Sequence, residues 1–403
     1  MHTYNFDEII DRSGTNSVSF EGWRQSMFGS DKNATFPFDD SDYIRLWVAD
    51  MDFATPPEVL DAIREHLDRK ILGYTRIYDD SYFAVLSSWF RRRYEWAIQE
   101  EDLVISPGIV PALNRLVGLL TEPGENILIH TPAYAPFKHA GDYHGRQVFY
   151  SPLVQQEGYY TVDFEDMERQ LADGAKNIKL FILCHPHNPT GRVWSEEELR
   201  KMGDLCRRHG IWIISDEIHC DLLRKGQQHI PLARLFPDND RIITCTAPSK
   251  TFNLAGSPMS HLFIPHKAVR KEWLRLYAEV LSPLSIVATQ TAYASCEDWL
   301  EQLKQYLDNN FAFLRTQLEA EVPKVQFHIP QSTYLAWVDI SAYLEHRADK
   351  NNVAMDFARH GVLIEDGKMF VHNGEGHIRI NIACPRAVLA EGIKRMVKAL
   401  HNL

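Results

Sequence analysis

The sequence predicts an α/β protein: a large domain built on a mostly parallel, helix-covered sheet, followed by a smaller α+β C-terminal domain. Helical patterns alternate with short apolar runs between about residues 57 and 285, as they do in βαβ units. The apolar runs lack period-two alternation, which is typical of strands buried on both faces. After about residue 285 the alternation of helices and strands stops, and a long helical stretch precedes two strands.

The first fifty residues are polar and turn-rich. The helices are predicted over 57–67, 80–96, 109–120, 195–209, 268–281 and 285–320. The strands are predicted over 127–129, 179–184, 211–215, 241–244, 262–264, 334–339 and 377–382. Pro111 falls in the first turn of the third helix, where a proline is tolerated. We expect an N-terminal segment (1–50) that contributes to the small domain and the active-site entrance, a large domain (51–285) and a small domain (286–403).

Composition and charge exclude several classes of function. The chain has 403 residues, and its formal net charge of −11 argues against nucleic-acid binding. The six cysteines form no CxxC pair, which argues against a zinc site or a disulfide scaffold and fits a reducing compartment. The N-terminus lacks the pattern of a signal peptide, and no apolar stretch is long enough to span a bilayer. We therefore expect a cytoplasmic protein that binds no metal ion, no membrane and no nucleic acid.

Three of the predicted strands end in polar or reactive side chains. Asn188, Asp216 and Lys250 follow the runs at 179–184, 211–215 and 241–244. Ligands of open α/β sheets bind outside the carboxyl ends of the strands, so the three residues are expected to face one crevice. Each has an ordinary alternative: an exposed loop lysine, a turn at the Asn-Pro-Thr-Gly sequence, and a helix N-cap aspartate. Their order at the ends of separate strands favours a site.

The chemistry of these groups fits one cofactor. Lys250, in a predicted turn of small residues, can form an imine with an aldehyde when it is partly desolvated. A buried Asp216 needs a cation, such as a protonated pyridine nitrogen. Asn188 could donate to a phenolate oxygen, Tyr134 could stack on a ring, and the helix after the Ser-Pro-Gly turn at 106–108 could bind a phosphate at its N-terminus. Together these groups describe a site for pyridoxal 5′-phosphate.

At these motifs the chain resembles the fold-type I pyridoxal-phosphate enzymes, the aspartate aminotransferase superfamily (class I and II), over nearly its full length. The motifs are Asn-Pro-Thr-Gly at 188–191, Asp-Glu-Ile-His at 216–219, Ser-Lys at 249–250 and the late Arg379. Within that superfamily the chain is most similar to the MalY-type cystathionine β-lyases, also called C–S lyases. The finer match adds Trp-Val-Ala-Asp-Met-Asp-Phe at 47–53, Gly-Tyr-Thr at 73–75 and Pro-Gly-Ile-Val-Pro-Ala-Leu at 107–113.

The resemblance implies a role for each candidate residue. Lys250 would carry the cofactor and act in catalysis, and Asp216 would hold the pyridinium. The other implied cofactor-binding residues are Gly108, Ile109 and Val110 at the phosphate with Ser249 nearby, Tyr134 on the ring, Asn188 at the phenolic oxygen, and His219. Tyr74 would reach the phosphate of the neighbouring subunit and act in catalysis there, which implies a homodimer with shared active sites. Arg379 and Asp50 would bind the amino-acid substrate.

The alternating strand at 377–382 gives a separate reason to single out Arg379. Alternation puts Arg379 on one face with His377 and Asn381, and three isoleucines on the other. An arginine fork can bind a carboxylate through two hydrogen bonds. The alternative is a surface salt bridge, which contributes little. The parity of the strand, together with the position that the resemblance to the family implies for Arg379, favours a contact with the substrate's α-carboxylate.

The sequence thus predicts a pyridoxal-phosphate-dependent C–S β-lyase that converts cystathionine or other S-substituted cysteines to thiol, pyruvate and ammonia. Two departures from common aminotransferases support the lyase branch. Pro258 stands where many of them carry a phosphate-binding arginine, and His219 replaces a common tyrosine. An aminotransferase of amino acids is the alternative, and a regulatory protein that keeps the fold and binds a protein partner is a further one.

Overall fold

The computed structural model describes residues 3–277, 281–347, 350 and 352–403. The α-helices in these ranges are α1 (Trp23–Phe28), α2 (Pro57–Leu67), α3 (Asp80–Tyr94), α4 (Ile109–Leu120), α5 (Ala135–Tyr143), α6 (Phe164–Ala172), α7 (Glu196–Arg208), α8 (Leu232–Leu235), α9 (Pro248–Thr251), α10 (Lys267–Leu276), α11 (Pro283–Ser295), α12 (Glu297–Glu321), α13 (Ala354–Ala358) and α14 (Arg386–Leu400). The strands are β1 (Ile44–Arg45), β2 (Leu103–Ser106), β3 (Asn126–Thr131), β4 (Ala133–Tyr134), β5 (Val148–Pro152), β6 (Val154–Gln156), β7 (Tyr159–Thr161), β8 (Ile178–Cys184), β9 (Trp212–Asp216), β10 (Ile242–Thr246), β11 (Ser260–Phe263), β12 (Gln326–Phe327), β13 (Leu335–Asp339), β14 (Val362–Leu363), β15 (Glu365–Asp366), β16 (Phe370–Val371) and β17 (His377–Asn381). Short 3₁₀ helices cover Asp40–Asp42, Glu100–Asp102, Ser341–Tyr343 and Gly367–Met369.

Several helices have the predicted bounds because their sequences carry clear start signals. α2 and α4 span the predicted residues, and α7 begins at a capping box formed by Ser195 and Glu198. The helical stretch predicted over 285–320 is present but interrupted once: α11 ends at Ser295 and α12 begins at Glu297, because Cys296 between them leaves the helical conformation. The helix predicted over 268–281 ends at Leu276, and residues 278–280 of that prediction lie outside the described residues.

The predicted mostly parallel sheet is confirmed. It has seven strands in the order β2-β11-β10-β9-β8-β3-β5, and the last five of these run parallel to one another. The run at 262–264 was expected to be another buried strand of this sheet. It falls in β11 and just beyond it, and β11 runs antiparallel to both of its neighbours, β10 and β2. Because neighbouring strands end at the same edge, Cys184 of β8 and Cys245 of β10 flank Asp216 of β9.

Helices cover the large sheet on both faces. Alternate residues of β8 separate into two apolar clusters, with Leu180 and Ile182 on one side and Phe181 and Leu183 on the other. The first cluster includes residues of α4, and the second includes residues of α6 and α7. A sheet buried on both faces has near-continuous apolar strands, which explains the absence of period-two alternation in the sequence.

A smaller antiparallel sheet follows in the order β12-β13-β17-β15. Its apolar face joins a large cluster with α12, α14 and residues from the N-terminal segment, among them Phe6 and Leu46. β1 of that segment pairs in parallel with β14, so residues before 50 lie against the C-terminal part of the chain. No helix within the described ranges is both long and apolar enough to cross a bilayer.

Candidate active site

One cavity of about 350 Å³ lies where β8, β9 and β10 end, between the large sheet and Arg379 of β17. The residues of its wall that the sequence singled out are Gly108, Ile109, Val110, Tyr134, Asn188, Asp216, His219, Ser249, Lys250 and Arg379. The structure therefore brings together ten of the candidates, which come from segments up to about 270 residues apart in the chain. Tyr74 and Asp50 do not line this cavity.

Lys250 projects from a single helical turn rather than from the expected irregular turn. α9 begins with Pro248, whose fixed φ suits the first position of a helix, after the extended residue Ala247. The Nζ atom of Lys250 donates a hydrogen bond to the carbonyl oxygen of Ala49 at 2.6 Å. Burial lowers the pKa of Lys250 below its ordinary value, opposed by the charge of Asp50. The amine is thus held at the cavity wall with its protonated form disfavoured.

Asp216 is a buried carboxylate with little support from the protein. Among the described residues, only the backbone N–H of Ile218 donates to it, at 3.2 Å. Burial raises the pKa of Asp216 to about 7, and the nearby charge of Glu217 adds to this effect. No cationic side chain in the described ranges forms an ion pair with this carboxylate, and a protonated pyridine nitrogen in the cavity would supply such a partner. The residue therefore fits pyridoxal phosphate.

Asn188 and Arg379 contact each other at the cavity wall. The Oδ1 atom of Asn188 accepts a hydrogen bond from Nη1 of Arg379 at 3.0 Å, which leaves the amide nitrogen of Asn188 as a donor. The backbone N–H of Asn188 is held by the Cys184 sulfur at 3.3 Å. The guanidinium of Arg379 lies 5.0 Å from the ring centroid of Phe370. Both side chains are thus fixed, and both face the cavity.

Glu365 is a wall residue that the sequence reasoning missed. It lies directly across from Arg379 in the pairing of β15 with β17, and the two side chains form an ion pair. A signal was present, because an apolar run at 362–364 ends in two acidic residues, as the run before Asp216 does. The partner of Glu365 depends on strand register, which local sequence does not show.

The N-terminus of α4 forms the end of the cavity suited to a phosphate. The first N–H groups of a helix have no acceptor inside it, and here these belong to Ile109 and Val110. Ser249 and Pro258 also line the cavity. The positive end of the helix dipole and the hydroxyl of Ser249 are suited to an anion at this position, although Pro258 brings no charge.

Tyr134 and His219 supply rings to the wall. Tyr134 packs edge-on against Phe137, with 5.9 Å between the ring centroids. The Nδ1 atom of His219 is buried and has no hydrogen-bond partner among the described residues. Burial, with the charges of Lys250 and Arg379, lowers the pKa of His219 to about 3, so its imidazole is neutral. His219 also lines the cavity, so its neutral ring can pack against a ligand there.

The two remaining candidates lie elsewhere. Tyr74 is 98% exposed. Asp50 lines a neighbouring cavity of about 670 Å³, which shares Lys250 with the first. There Asp50 pairs with Arg12 at 2.5 Å, and Arg12 also contacts Asp52 at 3.2 Å. Arg12 was missed by the sequence reasoning, because no motif surrounds it.

Comparisons with known proteins agree with this geometry. The sequence profile of the family described as aminotransferase class I and II matches residues 41–396. Cystathionine beta-lyase PatB of Bacillus subtilis is 38% identical over 401 residues, which cover 98% of this chain and 100% of that protein. Protein MalY of Escherichia coli is 31% identical over 403 residues, which cover 98% and 99%. A crystal structure of the PLP-bound C–S lyase from Staphylococcus hominis is 46% identical with a TM-score of 0.94, covering 99% of this chain and 98% of that one.

Proposed function

The chain belongs to the class I and II aminotransferase family, and we propose that it cleaves the Cβ–S bond of cystathionine or of related S-substituted cysteines. It is a pyridoxal-phosphate-dependent C–S lyase. The observation that carries this function is the single cavity that holds a lysine, an unpaired carboxylate, an asparagine and an arginine. The products would be a thiol, pyruvate and ammonia, with one water consumed.

The residues around the cavity would hold the cofactor by complementary chemistry. Asp216 would bind the protonated pyridine nitrogen, and the free amide nitrogen of Asn188 would donate to the phenolic oxygen. Ile109 and Val110 would donate backbone hydrogen bonds to the phosphate, with Gly108 and Ser249 beside it. The neutral ring of His219 would pack against the cofactor. Tyr134 would lie against the ring.

Pyridoxal phosphate supplies a carbonyl carbon for the amine of Lys250 and an electron-withdrawing ring for the substrate's Cα. Lys250 would take the Cα proton onto Nζ as a general base, and the electron pair released would expel the thiolate from Cβ. The lowered pKa of Lys250 supports this role, because a base must be unprotonated before it accepts the proton. The carbonyl of Ala49 holds Nζ when it is free.

Arg379 would bind the substrate's α-carboxylate, with Asn188 fixing the guanidinium. Asp50 would act from the neighbouring cavity, where it is paired with Arg12 and would attract the substrate ammonium. The larger S-substituent could extend into that cavity, because the two cavities meet at Lys250.

We also propose a homodimer with shared active sites. The segment before Tyr74 exposes Ile71 and Leu72, and Tyr78 follows it with 85% of its surface exposed. A contiguous exposed apolar segment of this kind marks an interaction surface. A second copy of the chain would cover it and receive Tyr74 at its own phosphate site.

Two further proposals concern location and domain organisation. The six cysteines are buried and unpaired, which supports a reducing compartment and a cytoplasmic enzyme. The pairing of β1 with β14 supports an N-terminal segment (1–50) that belongs with the small domain (286–403) rather than the large one (51–285).

Product analysis tests the proposed reaction against transamination. The holoenzyme is incubated with L-cystathionine, with and without a keto acid, and thiol, pyruvate and new amino acid are quantified. Equal amounts of thiol and pyruvate, unaffected by the keto acid, are expected. Amino-group transfer to the keto acid without release of thiol would identify an aminotransferase and overturn the proposal.

A further inference from the structure

Glu365 is a mostly buried acid to which the proposed reaction gives no task. The pairing of β15 with β17 sets it opposite Arg379, and their ion pair leaves 12% and 4% of the two side chains exposed. Glu365 also lines the cavity. A salt bridge that only stabilises the fold does not need to line a substrate cavity, so the position of Glu365 suggests a role in binding.

Arg379 already uses much of its hydrogen-bonding capacity. Its Nη1 atom binds Asn188, while Nη2 contacts Glu365 and lies 3.5 Å from the carbonyl oxygen of Trp47. Its Nε atom has no partner within the described part of the chain. A substrate carboxylate that reaches Arg379 therefore meets a guanidinium already paired with a carboxylate. The substrate must share the arginine with Glu365.

We propose that Glu365 shares Arg379 with the substrate's α-carboxylate and takes up one proton from solvent when that carboxylate binds. The proton adds to a carboxylate oxygen of Glu365, and one negative charge then remains opposite the guanidinium. The inference rests on the role proposed above for Arg379. It makes Glu365 a positioning residue of the substrate site.

The physical reason is the cost of two carboxylates on one cation in a buried place. The titratable and charged groups that face Glu365 are Arg379 on β17, Asp366 beside it, Lys250 on α9 and Tyr134 on β4. Burial already raises the pKa of Glu365; Asp366 adds to the rise, and Arg379 and Lys250 oppose it. A second carboxylate on the same arginine raises this pKa further.

The affinity for a carboxylate ligand should fall as the pH rises. Below the pKa of Glu365 in the free enzyme the group is already protonated, and the dissociation constant of a carboxylate ligand does not depend on pH. Between the pKa of the free enzyme and that of the complex, binding weakens about tenfold per pH unit. Above the second pKa the dissociation constant becomes constant again.

The test uses the holoenzyme and 3-(methylsulfanyl)propanoate, a substrate-like carboxylate without the α-amine that would react with the cofactor. Titration calorimetry from pH 5 to pH 9, in pairs of buffers that differ in ionisation enthalpy, gives the dissociation constant and the protons taken up. The variants are Glu365→Gln and, as a matched control, Glu375→Gln, an exposed residue in the loop between β16 and β17. Arg379→Lys tests the premise separately.

Wild type and Glu375→Gln are expected to take up the same proton and to lose affinity as the pH rises. Glu365→Gln should lack that uptake and bind the ligand at high pH about tenfold or more tightly than wild type. The inference is overturned if wild type takes up no proton at any pH, whatever the variant does. It is also overturned if Glu365→Gln keeps the uptake, or loses affinity by one factor at every pH. An unchanged affinity in Arg379→Lys would instead refute the proposed role of Arg379.

Discussion

Replacing Asp216 with asparagine should stabilise the cofactor-free protein at alkaline pH. Burial raises the pKa of this carboxyl to about 7, and the described residues give it a single donor, the Ile218 N–H. Without a bound cation, burial therefore makes the ionised form of this carboxyl unfavourable in the folded protein. Asparagine has nearly the same shape and carries no charge, so it avoids that cost.

The size of the effect follows from the pKa difference. A rise from 3.8 to about 7 corresponds to about 4 kcal/mol at 1.36 kcal/mol per pKa unit. A carboxyl with a raised folded-state pKa does not change stability below its unfolded pKa, and it lowers stability progressively as the pH rises through the folded pKa. About one third of the cost is present at pH 5 and all of it at pH 8. The stability difference between the variant and wild type should therefore grow by about 3 kcal/mol between these pH values.

The assay is urea unfolding of both cofactor-free proteins at pH 5 and pH 8, with Asp204→Asn on the exposed face of α7 as a control for charge removal. Glu217, whose pKa burial also raises to about 7, is present in every protein, so its own burial cost is common to all of them and only its repulsion of Asp216 is lost in the variant. With the cofactor bound, wild type should be the more stable protein, because the variant has no acid to pair with the pyridinium. For the same reason kcat of the variant should fall about 10²–10³-fold. A stability difference that is the same at both pH values would refute the reasoning.

Four further changes have expected outcomes. Arg379→Met should raise KM for amino-acid substrates about a hundredfold in steady-state kinetics, because the α-carboxylate loses its charged donors; an unchanged KM contradicts this. Asp221→Asn should lower the free energy of unfolding by about 3 kcal/mol in urea titrations. This buried carboxylate accepts hydrogen bonds from several buried donors and pairs with an arginine. An unchanged free energy of unfolding argues against that network. Ser249→Ala should weaken cofactor binding about tenfold in equilibrium dialysis, and equal affinity would remove the serine from the phosphate site. Mixing inactive Tyr74→Ala and Lys250→Ala chains should restore about a quarter of wild-type activity. Half of the dimers are then mixed, and each mixed dimer contains one intact active site out of two. No recovery of activity contradicts active sites that are shared between subunits.

The site residues that follow buried strands could be located from the sequence. Asp216 comes directly after the apolar run at 211–215, and Asn188 follows the run at 179–184 by four positions; parallel strands present their carboxyl ends at one edge. The two runs lie next to each other in the sheet, so the expectation that their polar ends share a crevice holds. The burial of these strands is visible in their local composition, which is near-continuously apolar.

Contacts that depend on register or on distant segments could not be predicted in the same way. The pairing of Glu365 with Arg379 needs the register of β15 on β17, and the hydrogen bond from Lys250 to Ala49 joins residues about 200 positions apart. The break at Cys296 between α11 and α12 has no proline or glycine to announce it. Tertiary packing sets these features, and a local pattern does not encode it.

The most direct test of the account compares wild type and Lys250→Ala on L-cystathionine, each loaded with pyridoxal phosphate and matched in circular dichroism. The measurement is the initial rate of thiol and pyruvate release, followed together with the cofactor's visible absorbance. Wild type should release the two products in equal amounts, and Lys250→Ala should release neither and lose the absorbance band of the lysine-bound cofactor. Retention of lyase activity by Lys250→Ala would contradict the account.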